Sequence, residues 1–103
     1  MDLKELSTAN FDEEIKEGIT LVDFWAPWCG PCRLITPSIE ALAEEMPDVS
    51  FTKLNVDKSR QIAIKYNVMS IPTIIIFKDG EVKDTTIGVI PKDAIKSKIE
   101  AVM

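Results

Sequence analysis

Thr20-Leu21-Val22-Asp23-Phe24-Trp25-Ala26, then Trp28-Cys29-Gly30-Pro31-Cys32, then Arg33 to Met46 is the run that decides the fold. Its first part is an apolar, strand-like stretch. Its last part carries Ile35, Ile39, Leu42 and Met46 at a spacing of i, i+4, i+7 and i+11, which places them on one helical face. Between the two lie the chain's only cysteines, at i and i+3. They are expected at a turn from strand into helix, with Pro31 near the first helical position, where a missing N–H costs nothing.

That position has chemical consequences. The start of a helix carries unpaired backbone N–H groups and roughly half a positive charge, which favours an anion placed there. A thiolate is such an anion, and the thiolate, not the thiol, attacks disulfides. Cys29 is expected at the exposed lip as the attacking sulfur, and Cys32 one turn in, more buried, as the resolving one. Two plainer readings compete with this. A zinc site takes about four ligands, and a chain with two cysteines and no histidine does not supply them, so no metal is expected. A structural bridge would close a ring of about four residues and remove only about 2 kcal/mol of chain entropy, little help to a fold. A redox pair is the stronger reading.

The chain has 103 residues, enough for one domain spanning 1–103 and too few for two. A core of that size needs no disulfide staple. Net charge is −5 without a basic run or an aromatic-plus-arginine stripe, which argues against nucleic acid and anionic membrane surfaces as partners. Met1-Asp2-Leu3-Lys4-Glu5-Leu6 is acidic and short of apolar residues, unlike a signal or transit peptide. No window approaches the roughly 18 apolar residues of a membrane span. A cytoplasmic location is therefore expected, and in a reducing compartment a lone C-x-x-C is catalytic more often than structural.

Outward from the cysteines the chain punctuates regularly. Leu3 to Leu6 suggests a short edge strand, and Thr8 to Glu17 a helix with Phe11 and Ile15 inward, Asn10 and Glu13 at capping-box spacing and Gly18 as a left-handed stop. The long helix after the cysteines contains Pro37, which should kink it. Phe51 to Asp57 reads as a strand and Ser59 to Tyr66 as a short helix ended by Asn67. Ile74 to Phe77, Asp79-Gly80 and Glu81 to Ile87 read as an antiparallel hairpin. A last helix follows from Pro91 to Val102, with Ile95, Ile99 and Val102 inward. The order β-α-β-α-β-α-β-β-α implies an α/β fold, a central mixed five-stranded sheet flanked by four helices.

Two polar residues interrupt runs that a core would keep apolar. Asp23 shares a strand face with Leu21 and Trp25. Burial raises a carboxyl pKa toward the range where it exchanges protons near neutrality. Lys53 interrupts the next strand and is its candidate ionic partner. The plain alternative is a satisfied buried ion pair or a solvated strand end. Six residues separate Asp23 from Cys29, and Asp23 is read as the proton acceptor for Cys32, directly or through a water. Ile71-Pro72 precedes a strand, where an ordinary trans bond is the default.

Taken together these residues resemble the thioredoxin family over essentially the full length. The matching features are Val22-Asp23-Phe24-Trp25-Ala26, Trp28-Cys29-Gly30-Pro31-Cys32-Arg33, Pro37, Lys53-Leu54-Asn55-Val56-Asp57, Ser70-Ile71-Pro72-Thr73, Phe77-Lys78-Asp79-Gly80 and Gly88. The resemblance implies the thioredoxin fold and a protein-disulfide reductase. In such an enzyme Cys29 forms a mixed disulfide with the substrate, and Cys32 releases the product, leaving a redox-active Cys29-Cys32 disulfide. It further implies that Asp23 is the buried base with Lys53 its neighbour, and that Pro72 is cis and faces the disulfide. Trp28, Gly30, Pro31, Ile71, Pro72, Gly88 and Val89 would form a shallow docking surface. Gly30-Pro31 is the dipeptide of the reducing members, whereas oxidases and isomerases of this fold usually carry a histidine there. No bound cofactor is implied. The implied partners are a thioredoxin reductase and clients such as ribonucleotide reductase, peroxiredoxin and methionine sulfoxide reductase, acting on a monomer. Lys58-Ser59-Arg60-Gln61 is more basic than the segment common in the family, which bears on partner preference. The competing readings are an oxidase or isomerase of the same fold, and a non-catalytic binding subunit or holdase with incidental cysteines.

Overall fold

Continuous apolar runs need cover on both faces, and the two most apolar strands of this chain pair side by side within one sheet. In a computed structural model, which describes residues 3–103, the chain forms β1 (Lys4–Leu6), α1 (Phe11–Ile15), β2 (Ile19–Trp25), α2 (Gly30–Glu45), β3 (Ser50–Asn55), α3 (Arg60–Lys65), β4 (Thr73–Lys78), β5 (Glu81–Ile87) and α4 (Lys92–Glu100). Met1 and Asp2, part of the acidic N-terminal segment, lie outside the described residues. The five strands form a single sheet in the order β1-β3-β2-β4-β5. β3 is parallel to both β1 and β2, whereas β4 is antiparallel to β2 and β5 to β4. The mixed five-stranded sheet and four helices are those the sequence predicts.

Alternation along the strands divides the interior into two cores. Leu21, Phe51, Ile74 and Ile76 pack with Ile35, Ile39 and Leu42 of α2 and Ile95 and Ile99 of α4. Val22, Phe24, Leu54, Ile75 and Phe77 face the other way, onto Phe11 and Ile15 of α1 and Ile62 of α3. The helices therefore pair off, α2 with α4 on one face and α1 with α3 on the other. Asp23 falls between Val22 and Phe24 and so belongs to the α2 face. Lys53 pairs with it in register across β2 and β3 and shares that face.

Several element ends differ from the sequence reading, each for a local reason. The capping box on α1 does not form. Asn10 Oδ1 instead accepts from the backbone N–H of Ser7 at 2.8 Å, outside the helix, and α1 shortens to five residues. β3 stops at Asn55 rather than Asp57, because the Asn55 side chain accepts from the N–H groups of Asp57 (2.9 Å) and Lys58 (3.3 Å) and turns the chain. α4 begins after Pro91 and leaves Val102 only half-buried. Pro37 lies inside α2, which is a single helix from Gly30 to Glu45. The hairpin turn takes positive φ at both Asp79 (51°) and Gly80 (85°), the twist-compatible arrangement for a two-residue connection.

Candidate active site

Strand β2 delivers the chain to the site. After Ala26 the backbone turns, with the Cys29 N–H donating to Ala26 O at 3.1 Å, and Arg33 Nη2 reaches back to Pro27 O at 3.0 Å. Cys29 then occupies the N-cap of α2 in an extended conformation, with Pro31 in the first turn. The backbone N–H of Cys32 donates to Cys29 Sγ at 3.2 Å, so the sulfur takes the place an oxygen fills in ordinary caps. The two cysteines are joined as a disulfide with Cα atoms 5.4 Å apart.

The expected contrast in exposure between the two sulfur residues is slight. Cys29 is 4% exposed and Cys32 2%. Ala26, Trp25, Val56 and Ile71 pack around the pair and account for this. The exposed lip is instead Trp28, 70% accessible, whose indole Nε1 donates to Asp57 Oδ2 at 2.9 Å. Gly30 and Pro31 are exposed beside it. Ile71 is half-buried against the cysteines, Pro72 is buried, and the bond between them is cis. Gly88, at φ 91°, donates its N–H to Pro72 O at 2.8 Å, which ties the end of β5 and the exposed Val89 to the same loop.

Asp23 is 2% exposed, and its Oδ1 has no hydrogen-bond partner among the described residues. Burial pushes its pKa from 3.8 up to about 7, and the positive charge of Lys53 moderates the rise. Lys53 is not a contact ion-pair partner, contrary to the sequence expectation. Among the described residues no salt bridge joins the two, and Lys53 Nζ stands over the Trp25 ring, 5.0 Å from its centroid. Asp23, Trp25, Cys32, Thr36, Glu40 and Lys53 line part of a cleft of about 260 Å³ that opens beside the cysteines on the α2 face. That volume accommodates water between Asp23 and Cys32.

Sequence reasoning brought together Cys29, Cys32, Asp23, Trp28 and Ile71, and missed three neighbours. Trp25 lines the Asp23 cleft with its own indole N–H unpartnered. Strand alternation already puts it on the Asp23 face, but gives it no part in the site. Thr36 Oγ1 donates to Cys32 O at 3.0 Å, a contact that helical i, i+4 spacing allows. Asp57 anchors Trp28 from 29 residues away, and no local pattern announces it.

A family model described as Thioredoxin matches residues 2–101. The chain is 45% identical over 100 residues to the thioredoxin of Bacillus subtilis (strain 168), covering 96% of each chain. It is 43% identical over 102 residues to the thioredoxin of Porphyra purpurea, covering 96% of this chain and 95% of the other. Among solved structures, mitochondrial thioredoxin 3 from Saccharomyces cerevisiae in its oxidised form superposes with a TM-score of 0.88 at 34% identity, over 96% of this chain and 94% of that one. A second, from work on the thiol resolving mechanism in yeast mitochondrial 1-Cys peroxiredoxin via glutathione/thioredoxin systems, gives 0.89 at 32% identity, over 97% and 95%.

Proposed function

The chain belongs to the thioredoxin family and is a thiol-disulfide oxidoreductase that reduces protein disulfides, and from that premise we propose how its own residues divide the work. Cys29 is the nucleophile. Its thiolate attacks one sulfur of a client disulfide, forms a Cys29–client mixed disulfide and expels the client's other sulfur as thiolate. Cys32, deprotonated by Asp23 directly or through a water in the cleft, then attacks Cys29 Sγ. The client leaves reduced by two electrons, and Cys29-Cys32 is left oxidised. The single observation that carries this reading is the Cys32 N–H directed at Cys29 Sγ from the first turn of α2, because the same donor stabilises a thiolate there.

Gly30, Pro31 and Lys53 tune the pair, the first two by keeping the helix start free of bulk and the third by its charge beside Asp23. Clients dock across Trp28, Ile71, Pro72, Gly88 and Val89, with the backbone at Ile71 available to pair with an extended client segment. The exchange cycle draws on no bound cofactor. A thioredoxin reductase closes it, and peroxiredoxins, ribonucleotide reductase and methionine sulfoxide reductase are the client classes. The solved structure noted above, from work on yeast mitochondrial 1-Cys peroxiredoxin and the glutathione/thioredoxin systems, supports the first of these. We place the protein in the cytoplasm, as a monomer of one domain. No helix among the described residues is long and apolar enough to cross a membrane.

The test is the equilibrium reduction potential of Cys29-Cys32, read by alkylating free thiols across a series of dithiothreitol buffers and weighing the product. A strongly reducing value is expected. A glutathione-like or more oxidising value would move the reading to an oxidase or isomerase, and a pair that never cycles would overturn it.

A further inference from the structure

Resting on the disulfide-exchange reading above, one surface goes further toward the class of client. Trp28, Val56, Val68, Met69, Ser70 and Ile71 line a groove of about 320 Å³ beside the cysteines. Met69 is 93% exposed and Trp28 70%, so two large apolar side chains stand open to water at its rim. Val56 and Val68 also wall a second hollow of about 470 Å³, which runs on to Ile64, 71% exposed, and to Arg60. The two hollows form one track, apolar near the disulfide and basic at its far end.

The charge at that end is uncommitted. Among the described residues no hydrogen bond or ion pair engages the side chain of Arg60 or of the neighbouring exposed Lys58, whose backbone N–H alone is bonded, to Asn55 Oδ1. Asp57, the one carboxylate in the second hollow, is held by the Trp28 indole. This cationic spot stands on a chain of net charge −5. We propose that the track selects client segments that carry a large apolar side chain next to the reacting cysteine and a carboxylate beyond it. The apolar group fills the hollow between Trp28 and Met69, and the carboxylate meets Arg60. Continuity with the cysteines and the local charge both favour this occupant over a basic segment, which the overall charge alone would attract.

The experiment uses three peptides, each with a mixed disulfide on a central cysteine flanked on both sides by leucine and then by glutamate, lysine or glutamine. The reduced protein is mixed with each, and the second-order rate constant is followed by tryptophan fluorescence. Relative to the glutamine peptide, the glutamate peptide is expected to react faster and the lysine peptide slower, with a spread of about two- to fivefold that shrinks as salt is added. R60E should reverse the order, and replacing both leucines by alanine should slow the glutamate peptide. Equal rates, a faster lysine peptide, or a glutamate preference that survives R60E would overturn the proposal while leaving the redox reading intact. If none of the three peptides is reduced, both fall together.

Discussion

A carboxyl group with a pKa of about 7 inside a protein is a destabilised ion, and Asp23 is that case. Its proton is held more tightly in the folded chain than in the unfolded one, so the folded state binds more protons between about pH 4 and pH 7 and stability falls as pH rises through that window. Below pH 4 the group is neutral in both states and costs nothing. Above pH 7 the whole penalty is present, on the order of 4 kcal/mol for a rise of about three units. Asp23→Asn is therefore expected to raise unfolding free energy at pH 8 by roughly 2–4 kcal/mol and to change little at pH 3.5, checked by urea denaturation at both values. The same variant should slow release of a mixed disulfide at neutral pH. An unchanged release rate in stopped-flow would refute the base role. Cys32→Ser should accumulate the covalent client complex on a non-reducing gel, whereas Cys29→Ser should form none. Asp23 was legible in the sequence because one carboxylate broke an apolar alternation. Its missing ion-pair contact was not, since register puts Lys53 opposite while the side chain turns instead to Trp25.

At the scale of elements, the five-residue α1 shows how little of this fold rests on local propensity. It has no side-chain cap, and a helix this short does not persist in water alone. Phe11 holds it down, fully buried, with ring centroids 5.5 Å from Tyr66 and 5.7 Å from Phe77. Phe11→Ala should cost about 3–5 kcal/mol in chemical denaturation. Gly88 is constrained differently. A Cβ there would meet nothing within 4 Å, yet φ of 91° is a conformation L residues rarely adopt. Gly88→Ala should thus cost about 1 kcal/mol through backbone strain alone, and Gly30→Ala, with open space and no such φ, should cost less than that. Element types and order could be read from the sequence because the apolar periods are long. Element ends could not, because Asn10 and Asn55 spend their side chains on particular backbone N–H groups that only the folded loop presents. The burial of Cys29 escaped for a related reason. Val56 and Ile71 close over it from distant parts of the chain.

For the whole molecule, stability comes from two cores on either side of one sheet, and the disulfide adds only what a four-residue ring can. Reduction is expected to lower the unfolding free energy by about 2 kcal/mol without changing the fold, which denaturation with and without excess reductant would measure. The interior also has a division of traffic. The cleft beside Asp23 and the groove beside Trp28 lie on opposite flanks of the cysteines and share no wall residue. A client seated on the Trp28 flank therefore seals the doorway used by electrons and leaves ajar the one used by protons. The covalent complex can be shut on the side where its bond must not be intercepted by another thiol, while its internal acid still equilibrates with bulk water through the back.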